Sequence, residues 1–206
     1  MSEPHHPLVK AEEIDTAMKG EKHYLNRDAE RIGICMSDLV GMQNSGLGVH
    51  KVRLPPNGES TQIHYHLHDS EWLYILSGSG KLQLIDSNLL PTNEKHNHPR
   101  NGSSDIPDHF TPNTKTMIPG EIEIEERDVS QGDFIGFQGG VIASKYAHGL
   151  KASNQGIEYL MGGTREKLDI CIYPELGVSN IADAKSGQEV IVRFNKVDTS
   201  NAGKSD

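Results

Sequence analysis

The 206-residue sequence predicts an all-β domain, either a sandwich or a closed barrel. Three observations carry that expectation: strand-like runs recur along most of the chain, turn residues separate them, and convincing helix is scarce. At this length a single domain with decorations can enclose a full core.

Residues 1–45 read as an N-terminal lead-in, with helical character around Val9 to Lys19 and a polar exit at Gln43 to Gly46. The domain proper is expected over 46–195. Its first strands are read at Gly48–Leu54, Gln62–His66, Glu71–Ser77 and Lys81–Ile85, with a tight turn at Ser77–Gly80 between the last two. Leu82 and Leu84 share one face of their strand and Gln83 takes the other. Residues 88–120 are rich in Asn, Pro, Ser and Thr and lack an apolar period, so they read as an inserted polar loop. Alternation resumes at Glu121–Glu125, apolar on one face and acidic on the other. Asp133–Phe137, Lys145–Lys151, Glu158–Met161 and Glu189–Phe194 continue the series, and 196–206 reads as a flexible tail.

Charge excludes some partners. With 29 Asp and Glu against 20 Lys and Arg, the formal net charge is −9. Phosphate backbones and anionic membranes want a basic face, so neither a nucleic acid nor a membrane surface is an expected partner. The longest apolar runs, such as 72–76, are too short to span a bilayer. The amino terminus lacks a basic start followed by an apolar core, which sets a cytoplasmic location as the expectation. Cys35 and Cys171 are too few for a disulfide framework and are expected to be reduced thiols.

The chemistry is concentrated between Gly58 and Gly78. His64 and His66 stand two apart on a strand, so both rings face one side, and Glu71 can be brought alongside by a bend. A metal that accepts imidazole nitrogen and carboxylate oxygen suits that set. The spacing of Gly58, His64, His66, Glu71 and Gly78 resembles the first motif of the cupin superfamily, G-x5-H-x-H-x4-E-x6-G, without departures. The resemblance implies a single-domain cupin: a double-stranded β-helix, or jelly-roll barrel, holding one metal on two histidines, one glutamate and one histidine from a second motif.

That second motif is altered. Gly132–Phe137 resembles its start, but Gln138 replaces the expected proline and Ala143 the expected histidine. The nearest histidine, His148, is taken as the fourth ligand because Tyr146, His148 and Leu150 alternate as strand residues. The alternative is a satisfied barrel histidine, with three protein ligands or none. The segment Gly156–Gly177 is similar to the closing strands of single-domain cupins.

Other candidates are weaker. His68 breaks the ligand spacing and is placed at the barrel rim. His5, His6, His96, His98 and His109 read as surface histidines in polar sequence. Arg165 is expected to pair with Asp169 or Glu166 in preference to an anionic substrate. Trp72, Tyr74 and Phe137 are read as core aromatics.

Four such ligands leave two positions of an octahedron open on one divalent transition metal ion: Fe, Mn, Ni, Co or Zn. Such an ion can polarise a carbonyl, acidify water or, as iron, bind oxygen. The expected function is an enzyme acting on a small oxygen-rich or aromatic molecule by oxygenation, decarboxylation, isomerisation or lyase chemistry. The alternative is a non-catalytic cupin that binds or senses a small molecule. The resemblance is also compatible with a homodimer, since cupins often associate through sheet edges. No catalytic group beyond the ligands is readable.

Overall fold

The structure, a computed structural model, describes residues 5–86, 122–139 and 146–193. The inserted loop at 88–120, the tail at 196–206, and His96, His98, His109 and Ala143 lie outside the described residues.

Among the described residues the fold is mostly antiparallel β, as the strand pattern predicts. Helix is confined to α1 (Ala11–Ala17), α2 (Met36–Leu39) and one 3-10 turn at Pro174–Leu176. The strands are β1 (Lys19–Lys22), β2 (Glu30–Cys35), β3 (Leu47–Leu54), β4 (Tyr65–His66), β5 (Glu71–Asp86), β6 (Glu125–Ser130) and β7 (Phe134–Phe137). They continue with β8 (Tyr146–Thr164), β9 (Leu168–Tyr173), β10 (Val178–Asp183) and β11 (Gln188–Arg193). A seven-stranded sheet runs β1-β2-β3-β8-β5-β6, with β7 also pairing β5, and a four-stranded sheet runs β11-β10-β9-β4. No helix among the described residues is long and apolar enough to cross a membrane.

The core is built chiefly on the larger sheet. Val52 and Leu54 of β3, Leu73, Ile75, Leu82 and Leu84 of β5, and Leu150, Ile157 and Tyr159 of β8 form its main cluster. Leu82 and Leu84 share the buried face, as their spacing predicts. Tyr159 is 1% exposed, and burial pushes its hydroxyl far above the usual phenol range.

Three sequence expectations need correction. Ser77–Gly80 is not a turn: β5 continues through it, paired with β8 on both sides, and the register slips between Ile75 and Ser77 and again between Gly78 and Gly80. Glycine-rich composition here marks a bulge instead, which lets one long strand bend around the core. Likewise the described part of the strand read at 145–151, from Tyr146 on, and Glu158–Met161 belong to one strand, β8, because β3 and β5 pair along its length. The residues read as lead-in also supply β1 and β2 to the larger sheet. Lys19–Lys22 is exposed throughout, so no apolar alternation marks it.

Candidate metal centre

The chain changes sheets between His64 and His66, and this places both rings. His64 exchanges two backbone hydrogen bonds with His148 of β8, at 2.7 and 3.1 Å. Two residues later His66 lies opposite Cys171 of β9. The two imidazoles therefore share a face at the seam between the sheets, with His148 directly across from His64. Glu71 opens β5 opposite Gly163 of β8 and Phe137 of β7.

The structure brings the four predicted residues together. His64 Nε2 stands 3.1 Å from His66 Nε2, and His148 Nε2 stands 3.2 Å from Glu71 Oε2. Glu71 Oε2 lies 3.6 Å from His66 Nε2 and 4.0 Å from His64 Nε2. Around an octahedral ion with bonds of about 2.1 Å, adjacent ligand atoms stand ~3.0 Å apart and opposite ones ~4.2 Å. The observed separations fall in that range.

Tautomers give a sharper test of fit. His64 Nδ1 lies 2.9 Å from the Gln62 carbonyl, which can only accept, so Nδ1 carries the proton. His66 Nδ1 donates to Asp169 Oδ2 at 2.6 Å. In neutral rings both Nε2 atoms are then bare, and their lone pairs meet across 3.1 Å beside a carboxylate. Such an arrangement is repulsive unless a metal ion sits within it or a proton on His66 Nε2 bridges to His64. Burial opposes that proton, but the Asp169 hydrogen bond and the Glu71 and Asp169 charges outweigh it and raise the His66 pKa. Orientation of ligand histidines by a carbonyl and a carboxylate is what metal sites require.

Burial reinforces this electrostatics. It pushes the His64 pKa down to about 3, aided by the adjacent His148 and His66 rings. Burial alone would raise Glu71, but the His148 hydrogen bond and the surrounding imidazoles hold it well below the usual carboxylate range. For Asp169 burial likewise opposes ionisation, and its bond to His66 outweighs this, bringing it down to about 2. Asp169 also accepts the backbone amides of His68 and Asp69, at 3.1 and 3.2 Å, so its carboxylate is fixed.

Two other clusters contain ligand-type atoms, but their chemistry is weaker. Cys171 stands beside His64 and His66, yet burial pushes its thiol far up, leaving it neutral. In the group of His66, Asp69 and Asp169, both carboxylates are already engaged by the protein: Asp69 accepts from the Glu166 amide at 2.7 Å.

Several sequence readings change here. Phe137 packs against the main core cluster, as read, and it also stacks on the His148 ring at 3.6 Å and 4°, walling the site. Tyr74 is 41% exposed, because the buried parity of β5 belongs to Glu71, Leu73 and Ile75. Trp72 shares its outward parity and stacks near Phe134. Arg165 pairs with neither Asp169 nor Glu166; it donates to Asp38 Oδ1 and Cys35 Sγ, both at 2.7 Å. His68 is at the rim, with a side chain 42% exposed. Cys35 and Cys171 are both free thiols.

Sequence reasoning missed Asp169 and His50. Parity was the available signal for both: His50 precedes buried Val52 and Leu54 on β3, and Asp169 shares its face of β9 with Cys171 and Tyr173. A cavity of about 650 Å³ opens over the cluster, lined by all four predicted residues and by His50 and Arg31. Replacing Asp169 with Asn should lower metal affinity by about 10–100-fold, measured by calorimetric titration, with the secondary structure unchanged.

The sequence model of the cupin family matches residues 17–161, more than half of the chain. The protein is a member of the cupin family. The fold of this cupin is similar to that of a protein described as a candidate sugar phosphate isomerase from Acidithiobacillus ferrooxidans. The TM-score is 0.66 at 22% identity, covering 92% of this chain and 94% of that one. A sugar phosphate isomerase of the cupin superfamily from Silicibacter pomeroyi superposes with a TM-score of 0.58 at 19% identity, covering 86% and 89%. No curated protein matches the sequence.

Proposed function

We propose that this cupin is a metal-dependent isomerase of a small, oxygen-rich, sugar-like substrate, with the metal held by His64, His66, Glu71 and His148. The observation that carries the reading is the pair of bare Nε2 atoms facing each other at 3.1 Å beside Glu71, at the floor of an accessible cavity. The names of the two similar structures point to the same substrate class.

A bound divalent ion would supply positive charge that polarises a substrate carbonyl. The protein's own residues do the rest. Gln62 and Asp169 keep the ligand nitrogens aimed inward, and Phe137 covers one face of His148. His50 supplies the proton transfer. Burial, then the Arg31 and Arg165 charges, push its pKa below the ordinary imidazole value, so it stands neutral at pH 7 as a base. In an aldose-to-ketose conversion, His50 removes the proton from the hydroxyl-bearing carbon next to the carbonyl, exchanges it with solvent and delivers a proton to the former carbonyl carbon. A second proton passes from the substrate hydroxyl to the carbonyl oxygen, so atoms balance without an oxidant.

The test is NMR of the metal-loaded full chain in D2O with a panel of aldoses and aldose phosphates. Solvent deuterium is expected at the carbon that gains hydrogen, together with ketose product. His50→Gln should lower kcat by about 10²–10⁴-fold while metal content stays at the parental level. Saturable ligand binding with no exchange and no product would instead indicate the non-catalytic binding cupin.

A further inference from the structure

Arg31 is an unusual residue to find in this cavity. It lies on β2, two residues before Gly33, which faces buried Val52 of β3. Directly opposed residues of antiparallel strands share a face, so Arg31 projects on the inner side of the sheet. Its side chain is 34% exposed, so most of it is shielded from water.

A guanidinium carries five donors in a planar fork and is always charged. At Arg31 this capacity is almost unused by the described residues. Among the described residues its one ion pair is with Glu21 of β1, at 3.6 Å, and the Glu21 side chain is 72% exposed. Arg165, the other arginine lining the cavity, is by contrast closed off at 2.7 Å by Asp38 and Cys35. The Arg31 charge is felt by His23, His50 and Tyr159, groups on three different segments that all border the same cavity. The same lining carries Glu21, Asp69, Glu71, Asp169 and Glu189, so Arg31 is a cation set among carboxylates, in a chain of net charge −9.

We propose that Arg31 is the anion-binding residue of this cavity and takes the phosphate monoester end of the substrate, whose oxygen-rich end reaches the histidine–glutamate cluster. The inference rests on the isomerase reading for the substrate but not for the anion site itself. Glu21 occupies the fork in the absence of ligand and is displaced on binding, a bidentate phosphate contact being stronger than a long pair with an exposed carboxylate.

Calorimetric titration of the metal-loaded full chain with hexose 6-phosphate, neutral hexose and inorganic phosphate tests this. Parental protein should bind the phosphorylated sugar more tightly than the neutral one. Arg31→Gln should weaken hexose 6-phosphate and inorganic phosphate by about 10–100-fold, leaving neutral hexose and metal stoichiometry unchanged. Glu21→Gln should tighten phosphate binding by a few fold, because the competing carboxylate is gone. Equal phosphate affinity in parental protein and Arg31→Gln would overturn the assignment and place the anion on the metal alone. Weaker phosphate binding in Glu21→Gln would also count against it. These readouts need no turnover, so a protein that binds phosphate through Arg31 without isomerising anything refutes the isomerase reading and keeps the anion site.

Discussion

Replacing His64 or His66 with alanine is expected to abolish stoichiometric metal binding while the β-fold persists. The loss should exceed the ~10–100-fold that removal of a supporting contact such as Asp169 costs, because a ligand atom itself is gone. The metal-free variants should lose stability relative to metal-free parent, because the Nδ1 bonds to Gln62 and Asp169 go with the rings. Relief of the crowding between Nε2 atoms 3.1 Å apart offsets only part of that. Added metal should discriminate strongly. At a thousandfold excess over Kd, a bound ion stabilises the parent by about 4 kcal/mol, and the variants should gain almost nothing. Thermal melts with and without metal, checked by circular dichroism, measure both halves. Full metal stoichiometry in both variants would refute the ligand assignment.

Gly78→Ala should be the most destabilising single-atom change within the motif. Gly78 has φ +80°, and a Cβ there would lie 2.3 Å from the Gly156 carbonyl oxygen and 2.9 Å from the Ile157 Cα. Both obstacles are backbone of β8, which is held by β3 on its other edge and cannot retreat cheaply. The left-handed conformation alone costs about 1–3 kcal/mol for a non-glycine residue, and the clash adds to it. A loss on the order of 3 kcal/mol or more would lower Tm by roughly 6–12 °C in a chain of this size. An unchanged Tm would mean that β5 and β8 do not approach each other closely at this bulge.

The closing glycine of the first motif thus has a packing reason as well as a pattern. Its spacing to Glu71 was readable, but the reason was not, since it depends on a strand some eighty residues away. The same division runs through the site. His64, His66 and Glu71 are legible because side-chain parity over a few residues is a local property. His148 was reachable only through its alternation with Tyr146 and Leu150, the second motif being altered. Local parity puts His50 and Asp169 on inward faces, but which partners they and Phe137 and Arg31 meet is set by strand register, which no neighbouring residue announces. The buried strands announce themselves by apolar alternation, whereas β1, exposed throughout, does not. Ser77–Gly80 misleads for a physical reason: glycine permits both a turn and a bulge, and only the continuous pairing with β8 decides between them.

Elemental analysis of the full chain, purified without chelator and then titrated with Mn(II), Fe(II), Co(II), Ni(II) and Zn(II), bears most directly on the metal centre. One tightly held divalent ion per chain, lost in His64→Ala and His148→Ala and retained in Arg31→Gln, is the predicted result. Absence of bound metal, together with no saturable uptake of any of the five ions, would contradict a metal centre built from His64, His66, Glu71 and His148.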